Sequence, residues 1–344
     1  MSRRFIHLLV ALALVLMLVG VAACGSSSTS STSATPTALT ASTQPTPGTT
    51  IKMGIEPWIG YGPWYIAQAM GYFKQNGLNV QIVNFGTDAL RESAYAAGKT
   101  DVSNMPTHTV LLFEQQGIDA KAILAMDESL TADAVLALPP ITSIAQLKGQ
   151  KVAYEQGTTS DILIHYALAA NGMSEKDIQV VPVNASAAGT ALLAGRVKAA
   201  VTYEPYVTAA LHQGAKIIYA AAEDPGLVSD MLVAHTALIK DNPGALVALA
   251  KSWGEAIDYY NSNTAAAQAI IAKGVGANAS DLATSFKGVK LYSLSDNVTQ
   301  LTGPFVTKVM PDVEKAALAS GFLTKSVDPK AIVDAAFVKA ATGQ

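Results

Sequence analysis

Cysteine is almost absent: the 344-residue chain contains one, Cys24, so no intrachain disulfide and no thiolate cluster can form. Histidine is scarce as well. The five His, at 7, 108, 165, 212 and 235, show no ligand spacing such as His-x-x-x-His, and no metal site or cofactor is expected. Basic runs are missing. Without Arg3 and Arg4, 21 basic residues face 26 acidic ones, a net charge of −5, so nucleic acid is not an expected partner. Beyond the first 24 residues no apolar run is long enough to span a bilayer.

What is there begins with MSRRFIHLLVALALVLMLVGVAAC. Two Arg precede an apolar run that closes on small residues, the pattern of a secretory signal peptide over residues 1–23. Val21-Ala22-Ala23-Cys24 resembles a bacterial lipobox, so Cys24 is expected to be the lipidated first residue of the mature chain. Residues 24–50, Ser/Thr-rich and free of charge, cannot bury enough surface to offset their ordering entropy and read as a disordered tether. The remaining ~290 residues are enough for two domains or one large one.

Short β-branched runs alternate with longer helical ones, which predicts parallel sheets flanked by helices. Strands are expected at 51–55, 79–85, 100–104, 121–126 and 134–138, then at 151–155, 178–183, 199–204, 216–220 and 231–239. Helices are expected near 63–76, 87–97, 106–116, 159–171, 186–194 and 206–213, with a mostly helical remainder. AAGKTDVSNMP (96–106) and LAGRVKAAVTYEP (193–205) repeat one order of helix, Gly, basic residue, strand and Pro. That echo predicts two similar α/β lobes: lobe I from 51–140 with 228–344, lobe II from 141–227. Connectors near 138–142 and 224–232 would then hinge a cleft between them.

GIEPWIGYGPWYIAQAMGYFKQNGLNV, DALRESAYAAGKTDVSN, SIAQLKGQKVAYEQGTTSDILIHYAL and LLAGRVKAAVTYEPYVTAAL together resemble the solute-binding proteins of ABC importers. Within them the resemblance is to the nitrate, sulfonate, taurine and thiamine-precursor branch. It implies a two-lobed α/β periplasmic-binding-protein fold of type II that closes on a small-molecule ligand. It further implies delivery to a permease and its ATPase, a monomer, and a place at the extracytoplasmic face of the cell membrane or in the periplasm. The expected ligand is sulfonate- or taurine-like, with a thiamine-pyrimidine precursor or a ligand-sensing lipoprotein as alternatives. No enzyme is expected: the thiamine-pyrimidine-forming relatives use a pyridoxal-phosphate lysine and a cysteine-rich stretch, and neither is visible here.

Three strand-to-helix turns offer backbone N–H groups to an anion: Thr87-Asp88, Pro106-Thr107 and Thr158-Thr159-Ser160. The last is the best anion candidate, although plain N-capping explains the same hydroxyls. Glu56, Asp88, Asp127, Glu155 and Glu204 fall at strand ends, where open α/β sheets bind ligands. Asp127 and Glu204 are the expected partners of an amine; solvated rim acids are the other reading. In the aromatic stretch 58–73, Ile66, Met70 and Phe73 share a helical face and should enter the core with Tyr72. Trp64 and Tyr65 fit either role. The resemblance implies that Trp58 and Tyr61 wall the site, with Tyr203 and Tyr206 facing them from the other lobe. His108 is read as a surface or capping residue.

Overall fold

The computed structural model describes residues 44–344, so the expected signal peptide, Cys24 and most of the tether lie outside the described residues. Eleven strands occur among those residues. They are β1 Thr50–Ile55, β2 Asn79–Asn84, β3 Val102–Pro106, β4 Lys121–Ser129, β5 Asp133–Ala137, β6 Lys151–Tyr154, β7 Gln179–Pro182, β8 Ala199–Tyr203, β9 Lys216–Ala220, β10 Ser229–Ala234 and β11 Val289–Leu291. One sheet runs β11-β4-β10-β3-β1-β2, the other β7-β6-β8-β5-β9.

The echo in the sequence is a real topological repeat. In the first sheet β1 pairs in parallel with β2 and β3, and β10 lies antiparallel between β3 and β4. In the second, β6 pairs in parallel with β7 and β8, and β5 lies antiparallel between β8 and β9. Each sheet is therefore completed by a strand from the other half's side of the chain. β5 follows β4 directly, so the first crossing is residues 130–132, not 138–142. Pro139 and Pro140 belong to the loop between β5 and β6; their turn chemistry gave the wrong signal. The return crossing lies between Ala220 and Ser229. The two crossings run side by side, with Ala222 N donating to Leu130 O and Ser129 N to Val228 O.

Helices cover the sheets because their apolar faces have no other place to go. The helix expected over 63–76 breaks at Gly71, which adopts φ 77°, so Gly62–Met70 and Tyr72–Gln75 are separate. Trp64 resolves as core: it packs on Trp253 with ring centroids 4.8 Å apart and donates Nε1–H to Asn104 at 2.7 Å. Ile66 and Phe73 are buried and Tyr72 is half-buried, as expected. Met70 is 36% exposed, because the break at Gly71 turns the end of its helix away from the core. The strand expected over 231–239 stops at Ala234, and Thr236–Asp241 is helical.

Candidate ligand-binding cleft

The parallel strands of both sheets end at one common cleft. β1 runs out into Glu56, Trp58 and Tyr61, and β3 ends at Pro106. In the other sheet the loop after β6 carries Thr158, Thr159 and Ser160, Ala185 follows β7, and β8 ends at Tyr203. The antiparallel strands β10 and β5 bring residues at their starts, Asp230 and Asp133, to the same edge. Register fixes the placement: Asp230 sits opposite Pro106, and Asp133 opposite Tyr203. These residues, with Asp88 and Val228, line about 350 Å3 of empty space that opens to solvent.

Of the twelve ligand residues expected, the structure brings Trp58, Tyr61, Asp88, Pro106, Thr158, Thr159, Ser160 and Tyr203 to the cleft. Trp58 and Tyr203 meet edge to face across it at 6.0 Å. Four residues do other work. Thr87 caps the helix Asp88–Ala96 by accepting from Leu90 N. Thr107 is buried and donates to Ser229 O at 3.0 Å. Asp127 lies behind the wall, accepting from Trp58 Nε1 at 3.0 Å.

Glu204 turns away from the cleft and caps its own following helix, accepting from Thr208 N at 3.0 Å and Thr208 Oγ1 at 2.9 Å. The expectation that it meets the ligand's amine is thus corrected; a carboxylate just before a helix is drawn to that helix's free N–H groups. Glu204→Gln should cost about 1 kcal/mol in urea unfolding and leave solute affinity within twofold; a tenfold loss of affinity would put the side chain back in the site.

His108 is buried against Phe322, ring centroids 5.0 Å apart, and is not a surface residue. Burial pushes it down to about 4, so it is neutral near pH 7. Tyr206 packs on Tyr203 at 5.3 Å and does not reach the lining.

The cleft is acidic. Glu56, Asp88, Asp133 and Asp230 line it, and burial raises Glu56 well above the usual carboxylate range and pushes Asp133 up to about 8. Beside it Arg91 is fully buried, and its terminal nitrogens are committed: Nη1 donates to Glu56 at 2.6 Å and Nη2 to Asp88 at 2.5 Å. On the opposite side the helix Thr159–Ala170 starts. Thr158 is spent as its cap, donating to Glu155 O and accepting from Ser160 N. The Thr159 and Ser160 hydroxyls find no partner among the described residues. Among the described residues no cluster of three or more His, Cys, Asp or Glu is placed to hold a metal ion.

Sequence reasoning omitted Asp133 and Asp230 because it looked for acids where strands end. Both stand where antiparallel strands begin, and only the pairing reveals that these are the same edge.

Two α/β sheets of one strand order, each completed by a strand crossing from the other half and sharing a cleft at their common edge, make this a periplasmic-binding-protein fold. The chain belongs to the NMT1/THI5-like family, whose profile matches residues 58–267. It is similar, at 24% identity over 305 residues, to a Bacillus subtilis protein whose name refers to aliphatic-sulfonate binding; the match covers 85% of this chain and 87% of the relative. Among solved structures, the alkanesulfonate-binding protein SsuA of Xanthomonas axonopodis pv. citri bound to MOPS superposes with a TM-score of 0.73 at 16% identity, covering 84% of this chain and all but 1% of the other. The desulfurization enzyme DSZB shares the fold too, with a TM-score of 0.66 at 12% identity over 86% of this chain and 99% of that one. At these identities the structural likeness concerns the fold alone.

Proposed function

We propose that this chain is the solute receptor of an ABC importer, anchored through lipid on Cys24 at the extracytoplasmic face of the cell membrane. It captures a small sulfonate- or taurine-like organic solute and hands it to a permease and its ATPase, acting as a monomer without a cofactor. The observation that carries this reading is the make-up of the cleft: helix-start hydroxyls, Asp133 and Tyr203 on the second half face Glu56, Asp88, Asp230, Trp58 and Tyr61 on the first. A solute with an acidic head and an amine end matches both sides. The head accepts from Thr159 and Ser160, where hydrogen bonds to a charged group contribute about 1.5–3 kcal/mol each. The amine lies toward Asp230 and Asp133 against Trp58, Tyr61 and Tyr203, where cation–π contact adds about 0.5–2 kcal/mol.

Nitrate has no second end and leaves those carboxylates unpaired in a drying cleft. The three aromatic residues of the lining also favour a flat aryl amine, such as a pyrimidine precursor of thiamine, as a second reading. A receptor is favoured over an enzyme because the lining offers neither a His base nor a Lys or Cys nucleophile.

The test is a thermal-shift screen of the purified protein against taurine, alkanesulfonates, aminopyrimidines and nitrate. A ligand at a hundred times its Kd adds about 2.7 kcal/mol of stability. Taurine or an aminopyrimidine should raise the melting point, and small-angle scattering of the same sample should show compaction as the halves rotate about the crossings. Tight nitrate binding, or an unchanged scattering profile at saturation, would refute the proposal.

A further inference from the structure

Asp127 and Asp230 stand directly opposite each other in the β4–β10 ladder, and both are buried, at 0% and 5% exposure. Asp127 Oδ1 accepts from Trp58, but its Oδ2 is buried with no hydrogen-bond donor at all. The side chain beside it is the Asp230 carboxyl, which is also only an acceptor unless it carries a proton. Among the described residues no cation forms an ion pair with either carboxyl, although the Arg91 charge acts on Asp230. Arg91 is committed to Glu56 and Asp88, and Lys290, on β11 at the far side of β4, pairs with Glu128 at 3.2 Å. The other groups facing the pair are the Tyr61 hydroxyl, the Trp58 indole, Asp88 and the Asp133 carboxyl of β5.

Two adjacent buried carboxyls with no cation paired to either resist ionising together, and one shared proton converts their repulsion into a hydrogen bond that satisfies the orphaned oxygen. We propose that Asp127 and Asp230 share one proton before the ligand arrives, and that the ligand's ammonium, seated against Asp230 in the cleft, displaces it. The ammonium keeps its own protons; the one from the pair passes to solvent. Capture and proton release are then one event. Burial raises both groups: Asp127 further by the Asp230 charge beside it, Asp230 to about 6 against the lowering pull of the Arg91 guanidinium. Such raised acids stabilise the fold at low pH, and that stability is lost as pH rises through about 6. Ligand affinity runs the other way: it falls by up to tenfold per unit as pH drops below about 6, because the proton competes for the same oxygens.

The inference rests on the reading of the cleft as an amine-binding site, and the test separates the two. In the intact protein labelled with 13C at aspartate carboxyls, a resonance in addition to that of Asp133, itself pushed up to about 8, should titrate near or above pH 6. Asp127→Asn puts a permanent amide donor beside Asp230 and should abolish that titration, with Asp230→Asn as the reciprocal variant should the first fail to fold. Taurine added to unbuffered protein at pH 6 should acidify the solution, whereas isethionate, with a hydroxyl in place of the ammonium, should bind at least tenfold more weakly and release no proton. Every aspartate other than Asp133 titrating below pH 5 overturns the proposal whether or not taurine binds. A taurine complex that forms without acidification overturns it as well. A high titration that Asp127→Asn abolishes, with neither sulfonate bound, upholds the shared proton and refutes the taurine reading, together with displacement by its ammonium.

Discussion

Arg91→Met should destabilise the protein by about 3–5 kcal/mol, roughly 10 °C or more in melting temperature for a chain of this size. The guanidinium is fully buried, and its two terminal nitrogens hold Glu56 of the first sheet's edge and Asp88 of the adjoining helix. Met fills the volume but leaves two buried carboxylates without a partner, and the cost of that orphaned charge exceeds what the ion pair itself contributes. The acids would then take protons, so the deficit should shrink as pH falls. Arg91→Lys keeps the charge while losing the fork that reaches both carboxylates at once, and should fall between the two. Urea unfolding at pH 5 and pH 8 decides it: a loss below about 1 kcal/mol at both would mean that solvent, not Arg91, balances Glu56 and Asp88.

Gly60→Ala should remove the aromatic wall without touching an aromatic residue. A Cβ at position 60 would lie 2.5 Å from Asp127 Cγ and closer still to Trp58 Nε1, inside any tolerable contact. Trp58 would have to leave its 3.0 Å hydrogen bond to Asp127 and its edge contact with Tyr203. Overpacking together with a lost bond to a buried carboxyl amounts to about 2–4 kcal/mol of stability. Affinity for whichever solute raises the melting point should fall tenfold or more by calorimetry. Gly86→Ala is the control, since a Cβ there meets nothing within 4 Å. Equal behaviour of the two variants would show that the loop of Gly60 yields freely and that Trp58 is not held by it.

Much of this protein is legible in its sequence. Periodicity located the ten main strands, and the echo around AAGKTDVSNMP and LAGRVKAAVTYEP announced two like halves; both signals are local, because side-chain alternation and helix-stop glycines are written within a few residues. β11 and the helices Leu294–Leu301 and Ala336–Thr342 lay within the remainder read only as mostly helical, being too short to declare a period.

What the sequence by itself determined is the alternation of strands and helices, the aromatic loop at the mouth of β1 and the hydroxyls before Asp161. Each depends on neighbours in the chain. Tertiary structure alone decided which acids face the cleft. Glu204 looked placed for a ligand and was claimed by the backbone N–H and the hydroxyl of Thr208, one helical turn away. Asp127 went to the indole of Trp58. Asp133 and Asp230, unremarkable in sequence, reached the site because antiparallel β5 and β10 put residues at their starts where parallel strands put their last. A carboxylate takes the nearest donor in space, and for strands that cross between two sheets that donor is set by register, which no local pattern encodes.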